Sequence, residues 1–541
     1  MKDLLLKNWK SGLTVSLIST PLAIALALGS GATPTQGIIT AFWAGLLGAI
    51  FGSSNFNIIG PTGALSGVLI AYAITHGAGS LPIIAIVAGF IIFLCYIFRL
   101  DKYIIFIPKS VVHGFTLGVA FIIGFGQIDN ALGLNNLVKT EHFIENVWLS
   151  LQNINQANWL AFAIFFISTL FIYFWNKKFN KLPGAIIVAF LSIFIILGLQ
   201  KFGINLSILT LGDKYPDLRG TLFINIFNNL DWHVFFAKDV LLISIATAII
   251  AVLETLLSGQ IANHMTKTKF DRPKEILGLS IANIGSGLMG GIPATAALAR
   301  TALNIKSGAQ HKTSGVINAI LVGFTALFFL NYFKLMPMAV IAAILVIVAI
   351  GMVEKEHFIH LIENHKTAFF ISIFVAAVVV VEDPIMGIAA GTIIALLIFV
   401  NKISYGQTEV LLWKDGKMKD ALLKHEFLAK DVLDSDIVVY KISGTLTYVN
   451  MPAHVEAVEK IKNNKYVIIS LRHAFYADAD GVDYLGEIIE ILKKHNDHII
   501  IAGINREIER HIHKTGFYKQ KLMEGKIYNR TSEAIADILK A

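Results

Sequence analysis

The chain is 541 residues long, 55% hydrophobic and only 15% charged, with a formal net charge of +8 and a mean hydropathy of +0.66. That is too apolar for an ordinary water-soluble enzyme and describes a polytopic membrane protein. Lys and Arg fall in alternate short connections, not on one basic face with interleaved aromatics, so the positive balance does not point to nucleic acid. The single cysteine, Cys95, lies in an apolar run, which leaves no intramolecular disulfide, Cys-based metal site or redox pair to build.

The N-terminus imitates a signal peptide, with Lys2, Lys7 and Lys10 ahead of an apolar stretch that contains Ala25-Leu26-Ala27. That stretch is interrupted by Ser19-Thr20-Pro21 and continues past Ala27, so it is expected to be an uncleaved first helix. About fourteen segments have the length and composition to cross a hydrocarbon core. The first seven lie near 11 to 29, 37 to 52, 58 to 74, 81 to 98, 103 to 126, 157 to 175 and 183 to 199. The other seven lie near 239 to 258, 275 to 292, 293 to 305, 312 to 333, 335 to 353, 366 to 381 and 384 to 401.

Under this count Lys2, Lys7, Lys10, Arg99, Lys102, Lys109, Lys177, Lys178, Lys181, Lys267, Lys269, Arg272, Lys274, Lys306, Lys312, Lys355 and Lys366 share one side. The positive-inside rule makes that side the cytoplasm and places both termini there. The opposite side has near-uncharged turns at 31 to 36 and 75 to 80 and longer loops around 127 to 156 and 200 to 238.

The third and tenth segments carry the same grammar. Gly60-Pro61-Thr62-Gly63-Ala64-Leu65-Ser66-Gly67 and Gly290-Gly291-Ile292-Pro293-Ala294-Thr295-Ala296-Ala297 both use glycines, a proline and then small residues to open a helix inside apolar surroundings. Corresponding interrupted segments in two halves argue for a seven-plus-seven inverted repeat, because an odd number of spans per half turns the second half upside down. Helices that begin in mid-membrane present unpaired N–H groups and positive dipole ends, which suit an anion. The candidate donors are the backbone N–H groups around Thr62, Gly63, Ala64, Ala296, Ala297 and Leu298, with the Thr62 hydroxyl beside them. The plainer alternative is that these small residues only allow close helix packing.

Glu254 lies in a strongly apolar helix, where an ionisable group costs about 2.5 to 3.5 kcal/mol on insertion scales and marks function by default. Ser258, one turn on, shares its face. The pair offers hard oxygen ligands to Na⁺, or the carboxyl carries a proton; the structural alternative is that Glu254 only partners Arg300. Arg300, early in the tenth segment, either adds full positive charge to the anion site or snorkels to the cytoplasmic surface. His113, Lys109 and His264 at cytoplasmic helix ends read as solvated surface. No zinc spacing, phosphate-cradling loop or nucleophile elbow stands out, so neither a metal site nor a catalytic one is expected.

From about 406 the sequence changes character, which divides the chain into a membrane domain, 1–405, and a tail, 406–541. Residues 437–442, 466–471 and 498–502 are strand-like, and segments near 452 to 463, 480 to 495, 506 to 515 and 531 to 540 look helical, giving a small α/β domain.

These residues together resemble the SulP (sulfate permease) inorganic anion transporters with a C-terminal STAS domain. The resemblance rests on Pro21-Leu22-Ala23-Ile24-Ala25-Leu26-Ala27 leading to Gly31-Ala32-Thr33-Pro34, the Gly60–Gly67 motif, Glu254-Thr255-Leu256-Leu257-Ser258 and Gly290 through Arg300-Thr301. Asp383-Pro384-Ile385-Met386-Gly387 and Phe475-Tyr476-Ala477-Asp478-Ala479-Asp480-Gly481 extend it into the last helix and the tail. It implies core and gate domains, an elevator-like movement, a homodimer in the inner membrane and a cytoplasmic STAS domain, about 430–541, open to a protein partner. It also implies that Leu22 and Leu26 wall the site with apolar surface. Sodium-coupled bicarbonate members of the family are expected to carry Asp at 254 and Thr at 298; Glu254 and Leu298 depart from both and favour protons. Regulatory STAS domains present a phosphorylatable Ser where this chain has Ala479, so that modification is chemically impossible here.

The expected function is secondary active transport of a small inorganic anion, sulfate first and bicarbonate next, coupled to H⁺ or Na⁺ or run as exchange, with no cofactor. A nucleobase transporter of the same architecture would present carboxylates from both the eighth and tenth helices, and here only the eighth has one. A STAS-based membrane scaffold would have no need of a buried Glu254 or paired broken helices. A passive anion channel stays open at this point.

Overall fold

The apolar runs, about twenty residues long, become helices because a helix satisfies its backbone polar groups within the one segment. The structure, a computed structural model, describes residues 2–102, 107–135, 137, 139–140, 142–179, 183–202, 207–216, 218–226, 235–382, 384–404, 408–414, 417–422, 436–506, 508–509 and 527–540. Lys181, Asp383 and most of the helix expected near 506 to 515 lie outside these residues. Two compact units are present, Met1–Ile394 and Ala395–Ala541.

The first unit and its exit contain α1 (Lys2–Gly29), α2 (Pro34–Phe51), α3 (Gly63–His76), α4 (Leu81–Ile97), α5 (Lys109–Phe125) and α6 (Ile128–Leu132). There follow α7 (Phe143–Gln152), α8 (Trp159–Lys178), α9 (Gly184–Lys201), α10 (Leu211–Lys214), α11 (Lys238–Thr266) and α12 (Arg272–Leu288). The last six are α13 (Leu298–Lys306), α14 (Thr313–Phe333), α15 (Met338–Met352), α16 (Lys355–Asn364), α17 (Lys366–Val381) and α18 (Pro384–Ser404).

Each apolar segment read from the sequence overlaps one of these helices, although the segments from 58 and from 293 open with non-helical backbone before α3 and α13. Among the described residues nine helical stretches are long and apolar enough to cross a membrane, and three shorter ones are apolar too. Helices α12 and α13 are in neither group: Ser280, Asn283 and Ser286 interrupt the first, and the second, with Arg300 and Asn304, has only 9 residues. The outer surface is apolar as a lipid-facing surface must be, with Trp159, Ile167 and Phe174 of α8 at least 60% exposed.

Two short strands interrupt the helical pattern, β1 (Ile59–Gly60) and β2 (Thr295–Ala296). They pair antiparallel, Ile59 with Ala296 and Gly60 with Thr295, as two segments of opposite orientation must. Helix α12 packs closely on α4 and α2, and α11 on α4, around Ala88, Ile92, Ala248, Ala251, Ile276 and Leu279. This packing surrounds the ribbon: Ile59, Ala294 and Ala296 belong to the same core.

The second unit is α/β. Its sheet runs β10-β9-β7-β5-β3-β4, from Ile527–Tyr528, His498–Ala502, Tyr466–Ser470, Ile437–Ile442, Thr408–Lys414 and Lys417–Leu422 respectively. Strands β5, β7, β9 and β10 are parallel, which explains their continuous apolar runs. The β3–β4 hairpin joins antiparallel through β3 to β5, so the sheet takes in residues ahead of the boundary near 430 expected from sequence. A small parallel pair, β6 (Gly444–Leu446) with β8 (Ala474–Ala477), lies apart from that sheet. Helices α19 (Met451–Val458), α20 (Ala479–His495) and α21 (Thr531–Ile538) complete the unit. Asp478 caps α20, accepting the Gly481 N–H at 2.6 Å.

Candidate functional site

The β1–β2 ribbon places the starts of α3 and α13 beside each other within the bundle. Thr62 is the N-cap of α3 and Ala297 that of α13, and neither cap uses a side-chain hydrogen bond. The first-turn N–H groups of Gly63 and Ala64, and of Leu298 and Ala299, have no intrahelical acceptor in such helices. Thr62, Gly63 and Ala64 are buried, whereas Ala297 and Leu298 are half-buried. Helix α1 packs against both α3 and α13; its Leu26 is buried, its Leu22 half-buried, and the Leu26 carbonyl accepts the Ser30 hydroxyl at 2.8 Å.

Two of the expected donors are already occupied. The Ala296 N–H donates to Thr255 Oγ1 at 3.1 Å, and the Ala297 N–H to the Ile58 carbonyl at 3.1 Å. On the second segment the available donors therefore start at Leu298, because α11 takes the Ala296 N–H and the backbone next to β1 takes that of Ala297.

Glu254, half-buried on α11, receives the Thr62 hydroxyl on Oε2 at 3.1 Å. Ser258 shares its face, but its hydroxyl donates to Thr301 Oγ1 at 2.9 Å, which also accepts the Ile58 N–H at 3.3 Å. The structure thus joins Glu254 to the start of α3 and turns Ser258 to α13. Arg300 does not snorkel: it is 2% exposed, and its Nη2 donates to the Pro61 carbonyl. A Cβ on Gly60 would lie 2.7 Å from Arg300 Nη1, so glycine is needed there for the guanidinium to fit. Arg300 and Glu254 interact electrostatically, yet no ion pair joins them among the described residues.

Sequence reasoning passed over the polar residues that hold the extended backbone. Asn283 accepts the Ala294 N–H at 2.8 Å and donates to its carbonyl at 2.9 Å. Thr40 accepts the Ile292 N–H at 2.7 Å, and Ser286 donates to the Ile292 carbonyl at 3.0 Å. Thr255 and Thr295 share a hydrogen bond of 2.9 Å, and Asn304 donates to the Phe56 carbonyl at 3.0 Å. Non-helical backbone at membrane depth requires such partners. Their signal was a lone Asn or Thr inside an apolar run.

Of the surface candidates, Lys109 and His264 are exposed as expected. His113 is not: its side chain is 16% exposed, 3.4 Å from Glu354 Oε2, and its ring lies against that of His357, tilted by 33° with 3.7 Å between centroids. Helix α16, which the sequence reading did not separate from its connection, covers it.

Residues 5–375 match the sulfate permease family, and residues 430–534 the STAS domain. The chain belongs to the sulfate permease family. A putative sulfate transporter of Bacillus subtilis, YvdB, is 31% identical over 95% of this chain and 94% of its own length. The bicarbonate transporter BicA of Synechocystis is 24% identical over 98% of this chain and 93% of its own. Among solved structures, the murine anion transporter Slc26a9 superposes with a TM-score of 0.84 at 14% identity, over 100% of this chain and 92% of that one, a likeness of fold. The chain is thus a membrane-embedded member of a family of sulfate and bicarbonate transporters, built as a helical transmembrane domain with a C-terminal STAS domain.

Proposed function

We propose that this protein is a secondary active transporter of a small inorganic anion, with sulfate the first substrate and bicarbonate the next. The anion lies between the N-termini of α3 and α13, on N–H groups at Gly63, Ala64 and Leu298 with the Thr62 hydroxyl, against Leu22 and Leu26. Arg300 adds positive charge behind them. Glu254 carries the coupling proton, sodium or anion exchange being the other modes, and Ser258 sits behind it as part of the α11–α13 contact. The observation that carries this reading is the β1–β2 pairing, which brings two helix starts together with a carboxylate 3.1 Å from the Thr62 hydroxyl.

In this reading residues 1–405 form the core and gate of a homodimer in the inner membrane, and residues 406–541 lie in the cytoplasm with both termini. The one-sided distribution of Lys and Arg supports that orientation. The experiment is radiolabelled sulfate uptake into proteoliposomes of the purified protein under an inward proton gradient, with protein-free liposomes as control. Saturable uptake above the control is expected. No uptake by folded protein moves the substrate to bicarbonate, tested in the same vesicles with and without a sodium gradient.

A further inference from the structure

Glu275, in the first turn of α12, is 2% exposed and has no cation within ion-pair distance among the described residues. The donors that hold its carboxylate are neutral. Oε2 accepts the N–H groups of Ser53 and Ser54, each at 2.7 Å, and the Ser53 hydroxyl at 3.2 Å. Oε1 accepts the Asn57 amide at 2.7 Å. All four donors belong to the bent, non-helical segment between α2 and β1, which leads into the start of α3.

Asn57 carries the connection further. Its Nδ2 also donates to the Thr255 carbonyl at 3.3 Å, and Thr255 Oγ1 accepts the Ala296 N–H ahead of α13. One carboxylate and one amide therefore fix both interrupted segments to α11 and α12. The backbone leaves no slack beneath them: a Cβ on Gly278 would lie 2.5 Å from the Gly52 backbone, and one on Gly52 would lie 3.1 Å from Glu275 Oε2.

We propose that Glu275 and Asn57 are positioning residues for the anion site, setting where the first-turn N–H groups of α3 and α13 stand relative to each other. Neither touches the anion. The inference rests on the transport reading above, since it concerns the geometry of that site. A charged acceptor orders a loop by several strong hydrogen bonds at once, whereas the amide of Gln accepts on one terminal atom only and presents an NH2 donor at the other. A site depends on its supporting shell to well under an ångström.

The test compares wild type with Asn57→Ala, Glu275→Gln and Glu275→Ala in the full chain. Asn57→Ala removes only the bridge and leaves the Ser53 and Ser54 bonds in place, so it reports even where Glu275→Ala fails to fold. We expect sulfate KM to rise about tenfold in Asn57→Ala and Glu275→Gln, with the maximal rate per folded protein little changed, as a misplaced site requires. Unchanged KM in both variants, or an equal fall in rate at constant KM, overturns the proposal.

Hydrogen exchange of the amides at 58–66 and 295–299 supplies a readout independent of transport. Faster exchange in both segments is expected, and unchanged exchange in either overturns the proposal. Should wild type transport no anion while these amides still respond, the transport reading fails and the mechanical link between the two segments stands.

Discussion

The Thr62 hydroxyl donates to Glu254 Oε2 across 3.1 Å, tying the first residue of α3's cap to the middle of α11. A donor that serves a carboxylate in one state can serve an anion in another. In the proposed transport cycle, protonation of Glu254 would weaken its hold on Thr62 and remove a negative charge beside the proposed anion site, which would link proton and anion at one place.

Glu254→Gln keeps an acceptor for Thr62 and removes the exchangeable proton. We expect proton-driven sulfate accumulation to disappear while exchange of external for internal sulfate persists. Uptake measured with and without a pH gradient, beside counterflow in symmetric buffer, separates the two. Gradient-driven accumulation at the wild-type level would remove Glu254 from coupling.

Arg300 bridges to the backbone of the opposite motif through a guanidinium that a lysine cannot replace. Arg300→Lys takes the Nη2 donor from the Pro61 carbonyl and moves the charge onto a shorter, non-planar head group. Transport efficiency is expected to fall about tenfold or more, since a hydrogen bond to a charged group contributes about 1.5–3 kcal/mol. Initial rates over a sulfate series, normalised to folded protein, check this.

Ala297 opens α13 and is half-buried beside the candidate site. Its N–H is engaged with Ile58, so the side chain, not the amide, is what an incoming anion would meet. Ala297→Leu should raise sulfate KM on the order of tenfold, the scale of an overpacked site at about 1–3 kcal/mol. Wild-type affinity in this variant would place the anion elsewhere.

Much of this was legible in the sequence because apolar runs, the two proline-led motifs and the basic connections are local signals. The pairing of β1 with β2 was not, since two residues each give no period to read. Nor was the loss of two donors: Ala296 and Ala297 look equivalent to Leu298 until the partners Thr255 and Ile58, distant in sequence, are in place. The direction of Arg300 was undecidable for the same reason, because only the fold brings Pro61 to it. In the tail, the buried parallel strands read clearly, whereas the β3–β4 hairpin carries charges such as Glu409, Lys417 and Asp420 that hide its pairing.

The STAS domain carries a pH dependence of its own. His454 on α19 is 2% exposed, with Nδ1 2.9 Å from the Tyr440 hydroxyl, and burial pushes its pKa down to about 4. Between that value and the ordinary range near 6.5 the unfolded chain binds a proton that the folded domain does not. Stability is therefore fully present above about pH 6.5 and declines as pH falls toward 4, by on the order of 3 kcal/mol at most. His454→Gln keeps a polar partner for Tyr440 and removes the titration. Hydrogen exchange of β5 and α19 in the full chain, followed from pH 7 to 4.5, should quicken in wild type relative to the variant. Parallel curves for the two proteins would show that the imidazole stays neutral, or becomes charged, in both folded and unfolded chains alike.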